Sequence, residues 1–133
     1  MVNPFWDIFK ENAASLDAYR SFSLRQKLCM EYTWCIPSPD AIAFVAKHAE
    51  NGLIEMGAGT GYWAWQLSQL GVDVKAYDAD PPHKSCDNNW HSPKDGYYGK
   101  PTGELRKVFF DVKRGYPSLL SKENKRTLLL SWP

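Results

Sequence analysis

Leu53-Ile54-Glu55-Met56-Gly57-Ala58-Gly59-Thr60-Gly61-Tyr62-Trp63-Ala64-Trp65-Gln66-Leu67-Ser68-Gln69-Leu70-Gly71-Val72-Asp73-Val74-Lys75-Ala76-Tyr77-Asp78 is the stretch that decides the fold. Leu53 to Met56 reads as a short strand, Gly57 to Gly61 as a tight turn, and Tyr62 to Leu70 as an amphipathic helix closed by Gly71. Val72 to Tyr77 alternates as a second strand and ends on Asp78. Strand, turn, helix, strand is a βαβ unit, and its two strands are predicted to run parallel.

The glycines have a physical reason. A chain that reverses from strand to helix in so few residues needs positive φ values, which glycine adopts without a Cβ clash. It must also let a ligand approach the backbone closely, and N–H groups at the start of the helix from Tyr62 can face a carboxylate or phosphate. Taken alone, a GxGxG can be no more than a tight turn. Here it follows a strand, opens a helix, and is answered by Asp78 seventeen residues after Gly61. An acid at the end of the next strand is placed to accept hydrogen bonds from ribose hydroxyls.

Upstream, Phe5, Ile8, Phe9, Ala13 and Leu16 recur at helical steps, and Phe22, Leu24 and Leu28 follow, so Pro4 to about Met30 is expected to be helical. Tyr32-Thr33-Trp34-Cys35-Ile36-Pro37 breaks the pattern. Ser38 then has the character of an N-cap with Pro39 at the first helical position, and the helix turns Ile42, Ala43, Val45, Ala46 and Ala49 inward before stopping at Asn51-Gly52. Downstream, Ala79 to Arg106 is polar and carries Pro81, Pro82, Pro93, Pro101, Gly96, Gly99 and Gly103, which predicts a long loop. Within it, Trp90, Tyr97 and Tyr98 form either a substrate lid or local packing. Lys107 to Val112 is expected as a third strand, Tyr116 to Ser121 as a helical turn, and Thr127 to Ser131 as a fourth strand.

The whole chain bounds the function. Its 133 residues fit one domain, 1–133, with 1–37 as a helical N-terminal cap and 53–133 as the core. With 44% apolar residues it can bury a core. Sixteen basic against fifteen acidic residues give a net charge of +1, so there is no electrostatic signal for nucleic acid. Cys29, Cys35 and Cys86 are odd in number and form no CxxC pair, which favours a reducing compartment over a disulfide scaffold. No apolar run approaches the ~18 residues of a membrane span and no signal-peptide pattern opens the chain, so a cytoplasmic location is expected.

Glu55-x-Gly57-x-Gly59-x-Gly61 resembles the first motif of the class I S-adenosylmethionine-dependent methyltransferases, in which an acid stands two residues before the first glycine. A nicotinamide-type GxGxxG starting at Gly57 needs glycine at position 62, which is Tyr. The resemblance implies that Gly57, Ala58, Gly59 and Gly61 wrap the methionine part of S-adenosyl-L-methionine, that Glu55 holds its amino group, and that Asp78 holds the ribose. Asp111 in Phe109-Phe110-Asp111 is similar to the acid that meets adenine. Tyr32 in Tyr32-Thr33-Trp34 corresponds to residues placed over the methyl group, with core packing as the alternative. Leu128-Leu129-Leu130-Ser131-Trp132-Pro133 resembles the fourth motif, which assigns Ser131 and Trp132 to the catalytic face. Ser-Trp-Pro departs from the usual Asn/Asp-Pro-Pro-aromatic, which leaves an amine acceptor open.

The expected fold class is therefore α/β, a Rossmann-like three-layer sandwich with a mostly parallel sheet of about four strands, preceded by N-terminal helices. The expected activity is methyl transfer from S-adenosyl-L-methionine to an unidentified nucleophile, the alternative being a catalytically silent binding module that works through a partner. The family fold runs on beyond a fourth strand, so the chain reads as truncated there, and residues 128–131 are expected to be an edge open to a second copy or a partner chain. His83, Cys86, Asp87 and His91 match no tight zinc spacing, so no metal site is expected.

Overall fold

The computed structural model describes residues 1–14, 17–82 and 107–131. Among these residues four helices and four strands follow in the order α1 (Pro4–Ala13), α2 (Ala18–Glu31), α3 (Pro39–Lys47), β1 (Leu53–Met56), α4 (Tyr62–Ser68), β2 (Val74–Asp78), β3 (Val112–Arg114) and β4 (Thr127–Leu129), with a 3-10 helix at Pro117–Lys122 before β4. The sheet is wholly parallel, in the order β3-β2-β1-β4, with helices on both faces. This is the expected α/β Rossmann-like sandwich.

Alternation along β1 sorts the faces. Leu53 points to the side where Ile42 of α3 and Trp63 and Leu67 of α4 close a core, joined by Leu129 of β4. Ala58, Ala64, Ala76 and Val112 extend that layer towards β3. On the opposite face Lys75 reaches Glu123 at 2.7 Å, just past the 3-10 helix. α1 and α2 add a third cluster in which Phe5, Leu28 and Tyr32 surround Tyr62 at the start of α4.

The caps explain several boundaries. Ser38 accepts the Ala41 N–H and Pro39 opens α3, as its sequence predicts. The helical stretch expected from Pro4 to about Met30 is divided into two helices. Asn3 caps α1 by accepting the Trp6 N–H at 3.1 Å, and Asp17 starts α2 by accepting the Arg20 N–H at 2.8 Å. Ala43, expected inward, is exposed.

The third strand is a second correction. It begins at Val112 and not at Lys107, because the Phe109 N–H is given to the Thr60 carbonyl at 2.9 Å and the Phe109 ring packs against Tyr62 and Trp65. The segment before Val112 is thus bound to the glycine turn and not to β2. The second strand likewise starts two residues late, at Val74, and the fourth ends at Leu129 and not at Ser131.

Candidate functional site

From β1 the chain winds outward to β2 and β3, then returns to lay β4 on the other side of β1. The carboxyl ends of β1 and β4 are thus the point where the winding reverses, and a crevice opens there in sheets of this kind. Glu55, the glycine turn and Ser131 all lie at that point.

Gly57, Gly59 and Gly61 take φ values of 73°, 54° and 75°, the left-handed conformation the turn requires. Gly61 is also closely covered, since a Cβ there would lie 2.8 Å from Phe110 Cβ and 2.9 Å from Val112 Cγ2. The turn is tied to β2 twice: the Ala58 N–H donates to the Tyr77 carbonyl at 3.0 Å, and the Gly59 N–H donates to Asp78 Oδ2 at 2.9 Å. Asp78 Oδ1 accepts the Asp80 N–H at 2.9 Å, and the side chain is buried.

Glu55 is the unusual residue. It lies mid-strand with 0% exposure, beside Ala76 in register and on the α4 side of the sheet. Ser131 Oγ donates to Oε1 at 2.7 Å, while Oε2 has no hydrogen-bond partner. Burial pushes the carboxyl up from 4.5 to about 7, and the nearby Asp78 charge adds to this, while the Ser131 hydroxyl and the Ala64 N–H pull the other way. A buried carboxylate oxygen without a donor is costly, and a bound N–H would relieve it.

The other predicted residues fall in different places. Ser131 joins Glu55, and its carbonyl accepts from the Cys35 thiol. Tyr32 is core: its ring meets Tyr62 edge-on at 5.3 Å and lies 5.6 Å from Phe109. Its link to the turn is through its backbone, where its carbonyl accepts from Thr60 Oγ1. Asp111 stands apart, since Val112 is level with Ala76 and Asp111 precedes it, on the amino side of the sheet. Its carboxylate is exposed, 3.9 Å from the Lys113 ammonium. Trp132, the aromatics Trp90, Tyr97 and Tyr98, and the His83–His91 group lie outside the described residues. Among the described residues no three His, Cys, Asp or Glu side chains gather to hold a metal ion, and no helix is long and apolar enough to cross a membrane.

Two contributors carried no sequence signal. Cys35 sits against Ser131 with its thiol pushed up by burial and by the Glu55 charge, against a weaker opposing pull from Arg25. Trp63 Nε1 donates to the Cys35 carbonyl at 3.3 Å and holds that segment to α4. Neither pairing follows from residue spacing, because the partners are far apart in the chain. No family model matches the sequence, and neither do the curated proteins or the solved structures compared with it.

Proposed function

We propose that the chain binds S-adenosyl-L-methionine at the carboxyl ends of β1 and β2 and transfers its methyl group to a small or macromolecular nucleophile. The observation that carries this reading is the fully buried Glu55 with its free Oε2, at the winding reversal and beside a three-glycine turn. An ammonium group satisfies such an oxygen with both charge and hydrogen bond. Gly57, Ala58 and Gly59 would pass close to the methionine part, and Asp78 would hold the ribose hydroxyls while keeping its grip on Gly59. The assignment of Asp111 to adenine draws no support from its place before β3.

Bound there, the cofactor supplies an already activated methyl group, so the protein's share is to bind, orient and exclude water. Glu55 fixes the ammonium end, Asp78 the ribose end, and the aromatic cluster around Tyr62 shields the turn. Among the described residues Cys29 and Cys35 are thiols outside any disulfide, which suits a reducing, cytoplasmic setting. The open edge of β4 is read as the contact for a second copy or a partner chain.

A second reading, a binding module without turnover, is favoured by one observation: the Ser131 proton goes to Glu55 and is not available to orient an acceptor. Calorimetry with S-adenosylhomocysteine and, separately, NAD tests the binding common to both readings. Tight binding of the first and none of the second is expected, and binding of NAD alone overturns both. Transfer of labelled methyl to acceptors in an extract separates enzyme from module.

A further inference from the structure

Ser131 was expected on the acceptor side of the site, yet its hydroxyl is committed elsewhere. A serine has one hydroxyl proton. Here it lies on Glu55 Oε1, at 2.7 Å, so the buried acid of β1 is gripped from the end of β4. Ser131 is itself fixed, because its carbonyl accepts from the Cys35 thiol and Cys35 is held to α4 through Trp63. A relay of hydrogen bonds from α4 through Cys35 and Ser131 thus ends on one carboxylate oxygen, and the other is left without a partner.

We propose that Ser131 is a positioning residue for Glu55, holding Oε1 so that Oε2 faces the ligand's ammonium group, and that the end of β4 belongs to the cofactor pocket rather than the acceptor side. The inference rests on the binding reading above for the identity of the ligand, and on the hydrogen-bond geometry alone for the hold on Glu55. The groups that act on Glu55 come from its neighbouring elements: Asp78 from β2, the Ala64 N–H from α4 and Ser131 after β4, while the Cys35 thiol of the α2–α3 connection feels the Glu55 charge and, more weakly, Arg25 of α2. Of these, Ser131 makes the side-chain hydrogen bond that favours the charged carboxylate. Its removal therefore leaves burial and Asp78 less opposed.

Carbon-13 NMR of the side-chain carboxyls in the ligand-free chain tests the hold directly, with Glu55→Gln assigning the resonance. The wild-type midpoint is expected at about 7. Ser131→Ala is expected to raise it by about one pH unit, and Ser131→Thr to restore it. Ser131→Gly replaces the alanine variant if amide spectra show that variant unfolded. Calorimetry with S-adenosylhomocysteine reads the second half: about tenfold weaker binding of Ser131→Ala at pH 7, a smaller deficit at pH 8.5, and recovery with threonine. An unchanged midpoint and unchanged affinity in Ser131→Ala overturn the proposal. A shifted midpoint in a chain that binds no S-adenosylhomocysteine at any pH retains Ser131 as the positioner of Glu55 and removes the ligand named here.

Discussion

Asp78 Oδ2 accepts the backbone N–H of Gly59 at 2.9 Å, so the residue that closes β2 grips the middle of the turn that leaves β1. The same carboxylate accepts the Asp80 N–H through its other oxygen and is only 8% exposed. An acid at a strand end can be removed with little effect on the fold when it faces solvent. This one holds the glycine turn in shape. Asp78→Ala is expected to lower the unfolding free energy by about 1–2 kcal/mol in urea titrations, besides weakening S-adenosylhomocysteine binding, because two partly buried N–H groups lose their acceptor. A variant of wild-type stability would mean that the turn keeps its geometry without Asp78.

Glu55 makes stability depend on pH in an unusual direction. Its carboxyl is raised in the folded chain from 4.5 to about 7, so the folded state holds the proton more tightly than the unfolded state. The neutral acid's contribution is full below about pH 4.5 and is lost as pH rises to about 7. Glu55→Gln keeps the shape and removes the charge. The variant and wild type are expected to match near pH 4.5, with the variant more stable by on the order of 3 kcal/mol at pH 8. Equal stability at both pH values in paired urea titrations would show that Glu55 ionises without cost.

Ligand affinity should carry the opposite signature. An ammonium group binds the ionised carboxylate, so S-adenosylhomocysteine affinity is expected to rise by roughly tenfold between pH 6 and pH 7.5 in wild type, and to stay flat over that range in Glu55→Gln. Calorimetry at three pH values reads this directly. A rise that persists in Glu55→Gln assigns the titration to another group.

Two glycines with similar φ separate backbone strain from crowding. Gly61 has φ 75° and a Cβ would sit 2.8 Å from Phe110 Cβ, whereas Gly71 has φ 80° and nothing within 4 Å. Gly71→Ala is expected to cost about 1 kcal/mol for the left-handed backbone alone. Gly61→Ala adds overpacking against β3 and is expected to cost roughly 2–4 kcal/mol. Thermal unfolding of the pair checks the ordering, and equal losses would show that Phe110 moves aside freely.

The outer edge of β4 shows its leucines unequally. Leu128 and Leu130 are 43% and 53% exposed, while Leu129 packs into the core beside Ile42 and Leu53. The other edge, β3, carries Lys113 and Arg114, charges that discourage strand addition. Self-association in light scattering is expected to grow with concentration and to fall in Leu128→Lys. Leu129→Lys destabilises the monomer instead, since it places an ammonium in the core. A wild-type chain that stays monomeric throughout the series removes this edge as a contact.

The parts of the fold that sequence made legible are those written in local contacts. Leu53 to Met56 as a strand, the positive-φ glycines and the Ser38 cap of α3 depend on neighbours a few residues away, and each appears as expected. β3 was misplaced because Phe109 is apolar enough for a strand, yet its backbone is bound to Thr60, almost fifty residues earlier. The site divides along the same line. Glu55 and Asp78 announce themselves by their distance from the glycines. The bond between Ser131 and Glu55, and the place of Cys35 behind it, arise from the return of β4 to β1, which no local pattern encodes.

That return also sets an order of events during synthesis. β1 can pair with β2 as soon as Asp78 has been made, but its second neighbour, β4, emerges after every other strand described here. Until then Leu53 to Met56, all buried in the finished sheet, present an unpaired edge in the middle of the nascent fold. Such an edge is where a growing chain is open to the wrong strand, from a neighbouring copy on the same messenger or from its own unfinished segments. The closing of β4 onto β1 completes the hold on Glu55 and ends that exposure in a single step.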